Sequence, residues 1–95
     1  MDYLEEYNFT SDDISSFTQK VPASVIKLLE ENKKLVSNNI KYLKELGVSN
    51  YKDVFTNYYE IFLNDDSNFK AIFDKYDRND LIDKIAKNIN IIEFL

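Results

Sequence analysis

Cysteine and histidine are missing from these 95 residues, and glycine and proline occur once each. Without cysteine there is neither a disulfide framework nor a thiolate metal site. Without histidine the usual proton shuttle and most transition-metal ligand sets are gone as well. No glycine-rich loop is present to cradle a phosphate, which leaves no backbone for a nucleotide site. Nowhere does the chain hold a run of about 18 apolar residues, and Met1 to Glu6 lack the basic start and apolar stretch of a secretory signal. The apolar stripes also lack the strongly basic partner face of an interfacial helix. The expectation is a cytoplasmic protein with no cofactor, no metal, no membrane contact and no catalysis. One glycine and one proline leave too little turn chemistry for a sheet of many short strands, so an all-α class follows.

What the chain does hold is apolar and aromatic: 44% hydrophobic residues, with seven Phe and seven Tyr. That composition at this length supports one core and one domain, residues 1–95. Net charge is −5, unevenly divided. Residues 1–19 carry five acids and no base, residues 20–52 carry seven lysines against Glu30, Glu31 and Glu45, and residues 53–95 carry nine acids against five bases. The middle is basic and both ends are acidic. An acidic balance repels phosphate at long range, although a local basic face can override it.

About seven or eight short helices are legible. Thr10 to Asp13 offer a side-chain cap and early acids before Ile14 and Phe17, which predicts a helix over about 11–20. Val21-Pro22 breaks it, and Pro22, with no amide hydrogen, suits the first position of a new helix running to about Asn32. From Lys33 to Leu46 the apolar positions Leu35, Val36, Ile40, Leu43 and Leu46 keep helical spacing. Gly47, the single glycine, closes that helix, with Val48 placed to fold back on its last turn. Ser49 or Asn50 caps a helix with an aromatic stripe from Tyr51 to Phe62. Asp66 or Ser67 caps the next, Asp77 with Asp80 the one after, and Asn90 with Glu93 repeats the arrangement near the end.

The carboxylate clusters, Asp12-Asp13, Asp65-Asp66 and Asp74 to Asp80, read as helix caps. A calcium loop from Asp74 would need oxygen ligands at its third and fifth positions, where Tyr76 and Arg78 stand. Asp65 and Asp66 remain exposed acids that a protein partner can use. Lys33, Lys34, Lys41 and Lys44 fall on or beside one polar helix face, with Lys34 and Lys41 about two turns apart and Asn38 and Asn39 between them. Such a row either contacts phosphates or is an ordinary solvated face on which Glu30 pairs with Lys34 and Lys41 with Glu45. The aromatic stripe reads as core rather than as a base-stacking platform, because it lacks interleaved Lys or Arg. Tyr59, out of phase with Phe55 and Phe62, is the ring expected to be exposed and to favour a protein interface.

Three faint copies of one pattern run through the chain: a cap, an apolar residue, an apolar or proline residue eight positions later, and another apolar residue three further on. They are Ile14, Pro22, Val25; Tyr51, Tyr59, Phe62; and Leu81, Ile89, Ile92, starting 37 and then 30 residues apart. With the stretches Phe9 to Ile14 leading to Val21-Pro22, and Tyr42 to Ser49 leading to Tyr58-Tyr59-Glu60-Ile61-Phe62, this resembles the mitochondrial transcription termination factor (mTERF) family. The proline stands only at Pro22, with Tyr59 and Ile89 in its place later. The resemblance implies units of roughly thirty residues, each about three short helices, stacked as a short solenoid with a basic concave face for nucleic acid. Two functional expectations therefore stand side by side. One is a small helical module, an adaptor or inhibitor of the kind phages and mobile elements encode, that binds a protein partner. The other is a nucleic-acid binder using the central lysine row.

Overall fold

The computed structural model describes residues Met1–Leu95 and is helical throughout, with six α-helices and three short 3-10 segments. The order is η1 (Asp2–Tyr7), α1 (Ser11–Lys20), α2 (Ala23–Glu31), α3 (Lys33–Leu46), α4 (Tyr51–Tyr58), η2 (Tyr59–Leu63), α5 (Asp66–Asp74), α6 (Arg78–Lys87) and η3 (Ile89–Phe94). No helix is long and apolar enough to cross a membrane.

The boundaries follow local chemistry. Thr10 and Asp13 form a reciprocal capping box, each backbone N–H donating to the other's side chain, at 2.9 and 3.0 Å. Pro22 sits one position earlier than its chemistry suggested: it is the N-cap of α2, with ψ 150°, and its carbonyl accepts from the Val25 and Ile26 amides. Gly47 ends α3 at φ 106°, with the Val48 amide on the Leu43 carbonyl and the Gly47 amide on the Lys44 carbonyl. That is the Schellman arrangement, and Val48 is buried behind it. Asp65 caps α5 and Asp77 caps α6. The expected caps Asp66 and Ser67 lie inside α5, because Asp65 reaches the Asn68 amide first, at 2.8 Å. At the C-terminal end it is Asn88 that accepts from the Asn90 amide, so Asn90 is inside η3 and does not cap it.

Each copy of the sequence pattern coincides with a helix, a break and a second helix. Pro22, Tyr59 and Ile89 all stand where the second element begins, at the starts of α2, η2 and η3. All nine elements share one core of 18 buried residues from Tyr3 to Ile92. With extents of 35 × 25 × 22 Å the result is a globule rather than an elongated stack.

Six of the seven phenylalanines build the core. Phe9, Phe55, Phe62, Phe69 and Phe73 form a continuous series with ring centroids 5.0 to 5.7 Å apart, and Phe17 joins it at Phe55, 5.1 Å away. Edge-to-face and tilted pairs of this kind add to what burial alone contributes. η1 was not visible as an element in the sequence. It is held from outside: the Tyr3 hydroxyl donates to the Leu29 carbonyl at 2.9 Å, and the Tyr51 hydroxyl donates to the Tyr7 carbonyl at 2.7 Å.

Candidate docking face

α3 positions the lysine row. At 100° per residue Lys33, Lys34, Lys41 and Lys44 span an arc of about 100° beside the one that holds Val36, Ile40 and Leu43, and over a length of about 16 Å. All four are exposed, and Lys33, Lys34 and Lys44 make no ion pair. Lys41 approaches Glu45 at 4.0 Å, as the sequence suggested. The other expected pair does not form: Glu30 pairs with the amino terminus at Met1 and leaves Lys34 free.

Asn38 and Asn39 part company. Asn38 is exposed beside the lysines. Asn39, which the sequence places between the lysines of the row, is 1% exposed, and its amide donates to the Phe62 and Asn64 carbonyls, both at 2.9 Å. The spacing held this information, since Asn39 lies three after Val36 and four before Leu43 on the buried face. Its hydrogen bonds lash the end of η2 and the start of the Asn64 to Asp66 turn onto α3. Its Oδ1 is buried without a partner.

That lashing joins two features that looked separate in the sequence. Asp66, at the start of α5, lies over α3 and lines two adjoining shallow clefts, one with Lys34 and Asn38, the other with Asn38, Lys41 and Lys70. Further along, Glu6 and Tyr7 of η1 meet Lys41, Lys44 and Glu45. Lys70 is held over the Tyr42 ring, 5.6 Å from its centroid, and the Tyr42 hydroxyl donates to Asp74 at 2.7 Å. Partial burial, reinforced by the Asp74 bond and charge, pushes the Tyr42 hydroxyl up to about 12. The face is therefore one of alternating sign rather than a bare lysine row.

The remaining expected interface residues are committed elsewhere. Asp65 is exposed, yet both carboxylate oxygens accept from Asn68. Tyr59 is half-buried, with its ring edge-on to Phe17 at 5.7 Å, because the break at Tyr58–Tyr59 resets the helix phase that the α4 stripe implied. The large apolar side chains that do lie exposed are Leu28, Tyr76 and Phe94. Of the acids in residues 53–83, Asp53 faces α1, Asp66 faces α3, and Asp80 and Asp83 pair with Lys84 and Lys87 on their own helix.

A separate cleft, about 380 Å³, lies between α1 and α4. Two of its four charged residues, Asp13 and Lys52, are engaged in holding the fold. Lys52 donates to the Asn8 carbonyl at 3.1 Å, lies 3.5 Å from Asp13 and stands over the Phe9 ring. The Thr10 amide, with Lys52 helping, holds the Asp13 carboxyl below its usual range. Lys52 was not singled out in the sequence, where nothing local marks a contact 44 residues away. No protein-family model, curated protein or solved structure matches the chain.

Proposed function

We propose that the protein is a non-catalytic, cytoplasmic binding module that docks a protein partner on the α3–α5 face. The observation that carries this reading is Asp66 lying among Lys34, Lys41 and Lys70, all exposed. A polyanion gains from the lysines and is repelled by Asp66 and Glu45, whereas a protein surface can match both signs. Each exposed pair contributes only about 0.2–1 kcal/mol, so specificity arises from the pattern and not from any one contact.

The test is a photo-crosslinking residue placed at Asn38 and, as a control, at Asp83 on α6. The expected outcome is a covalent adduct to one protein from position 38 and none from position 83, competed by the unlabelled wild type and not by a Lys34→Glu/Lys41→Glu variant. Equal adducts from both positions, or adducts to nucleic acid alone, would overturn the reading.

A second reading is nucleic-acid binding in the manner of the mTERF family. It is supported by the helix-break-helix units and by four lysines within one arc of α3. On this reading, charge reversal at Lys34 and Lys41 lowers the salt slope of binding by about two. An electrophoretic shift assay at two salt concentrations measures it.

A further inference from the structure

We propose that the occupant of the α3–α5 face is a partner helix bearing an acid, a base three or four residues later, and a second acid seven residues after the first. The inference rests on the docking reading above and specifies the chemistry of the partner.

The sign order along the face is set by which residues share each cleft. Lys34 and Asn38 meet Asp66 in one cleft, and Asp66 and Asn38 meet Lys41 and Lys70 in the next, so the run is positive, negative, positive. Glu31 and Glu45 stand at the two ends, each within 4.0 Å of a lysine four residues before it, Lys27 and Lys41. Asp66 has no ion-pair partner within the chain, nor has Lys34 or Lys70. These three unpaired charges, with Lys41, are what a partner meets.

Their spacing selects the partner's backbone. Lys34 and Lys41 are separated by seven helical residues, about 10.5 Å along the axis. On a partner helix, residues i, i+3 or i+4, and i+7 share one face and cover the same 10.5 Å. On an extended strand, side chains of one face recur every 6.6 Å or so, giving about 6.6 or 13 Å and a poorer match to the second lysine. A helix with acid, base and acid in that order therefore sets carboxylates on Lys34 and on the Lys41–Lys70 pair, and an ammonium or guanidinium on Asp66.

Part of the face is held in place. Asn39 ties the turn before Asp66 to α3 through two carbonyls, and Lys70 is pinned over Tyr42. A charge that need not be reoriented loses less entropy on pairing.

Three alanine-based helical peptides of equal length test the order by fluorescence anisotropy: Glu, Lys, Glu at i, i+4 and i+7; the isomer Lys, Glu, Glu; and an all-Glu peptide. The full-length protein is expected to bind the first about twofold to thirtyfold tighter than the isomer, the range that two misplaced exposed pairs support. Asp66→Lys should make the all-Glu peptide the best ligand, Asp66→Asn should narrow the gap between the first two, and Lys34→Glu should weaken the first and the all-Glu peptide while strengthening the isomer. Helicity by circular dichroism shows that each variant is folded, and Asp66→Asn serves if Asp66→Lys is not. Isomers bound equally, a gap between them that neither Asp66 variant changes, or no peptide bound would overturn the proposal. A retained crosslink at Asn38 alongside such a result would sink the sign order alone, and loss of both would sink the docking reading too.

Discussion

The Arg78 guanidinium sits on the end of α3: Nε and Nη2 donate to the Leu46 carbonyl at 3.0 and 2.9 Å, and Nη2 reaches the Glu45 carbonyl at 3.3 Å. The last carbonyls of a helix have no partner within it and carry the negative end of its dipole. A cation 32 residues away in sequence supplies both the donors and the charge. Because Arg78 is also the first residue of α6, one side chain fixes the start of α6 against the end of α3.

Replacing Arg78 with alanine should lower stability by about 1 kcal/mol, the scale of a charge-assisted bond at an exposed helix end. Arg78→Lys keeps the charge and loses the planar fork, so it should recover less than half of the loss. Urea unfolding of the three proteins measures this. Equal midpoints for arginine and alanine would mean that the carbonyls are satisfied as well by water.

Gly47 lies beside that contact and works through its backbone. At φ 106° an L residue is strained, while a Cβ added there would meet only the Ile82 Cδ1 at 3.4 Å. Gly47→Ala should therefore cost about 1–2 kcal/mol from the left-handed conformation, with little from crowding. Gly47→Asn should cost less than alanine, since asparagine tolerates this region better. Trimming Ile82 to valine should not rescue Gly47→Ala, and chemical unfolding of the double variant checks that.

Tyr42 gives the fold an alkaline limit. Partial burial first, then the Asp74 bond and charge, raise its ionisation from 10.0 to about 12 in the folded protein. The unfolded chain thus gives up the proton first. The Tyr42 contribution is fully present below about pH 10 and is lost as pH rises to about 12. Tyr42→Phe should be less stable than wild type by about 1 kcal/mol at neutral pH, and the gap should close across that window. Parallel unfolding series at pH 8 and above measure it; a constant gap would mean that the hydroxyl does not matter.

How much of this was legible in the sequence depends on the range of the force involved. Ser11–Lys20 and Lys33–Leu46 were readable to the residue because capping box, helical period and Gly47 all act within a few positions. The lysine row was readable for the same reason. η1 was not, because it owes its place to Tyr51 and Leu29, and Asn8 takes a left-handed turn at φ 69° without a glycine to mark it. Tyr59 was misplaced because the α4 period was carried across a break that only packing on Phe17 reveals. Asp66 was read as an exposed acid, correctly, but its meeting with Lys34 and Lys41 needed the turn after η2 to be folded against α3.

Tyr59 separates a packing role from a contact role. The ring is half-buried on Phe17, and its hydroxyl makes no hydrogen bond within the chain. Tyr59→Phe should leave stability within about 0.5 kcal/mol of wild type, and Tyr59→Ala should cost about 2 kcal/mol, below the full-burial value. Neither should change which peptide the α3–α5 face prefers. A loss of binding in a folded Tyr59→Phe protein would return this residue to the interface.

Asn39 links the core to the docking face, and it differs from Asn38 in a measurable way. Removing its amide strands the Phe62 and Asn64 carbonyls, and a buried acceptor left unpaired costs about 1–3 kcal/mol. Asn39→Ala should fall near the upper end, and Asn39→Asp should be no better, because an ionised carboxylate keeps the shape but offers no donor. Asn38→Ala, on the exposed side of the same helix, should change stability by less than about 0.5 kcal/mol. Hydrogen exchange adds the diagnostic readout. In Asn39→Ala the amides from Asn64 to Asn68 should exchange faster while those of α1 and α2 are unchanged, since the turn carrying Asp66 has lost its tether. If that turn loosens and the ordered acid-base-acid preference survives, the rigidity assigned to Asp66 is not what sets the sign order, and the alternation of charge along α3 must suffice by itself.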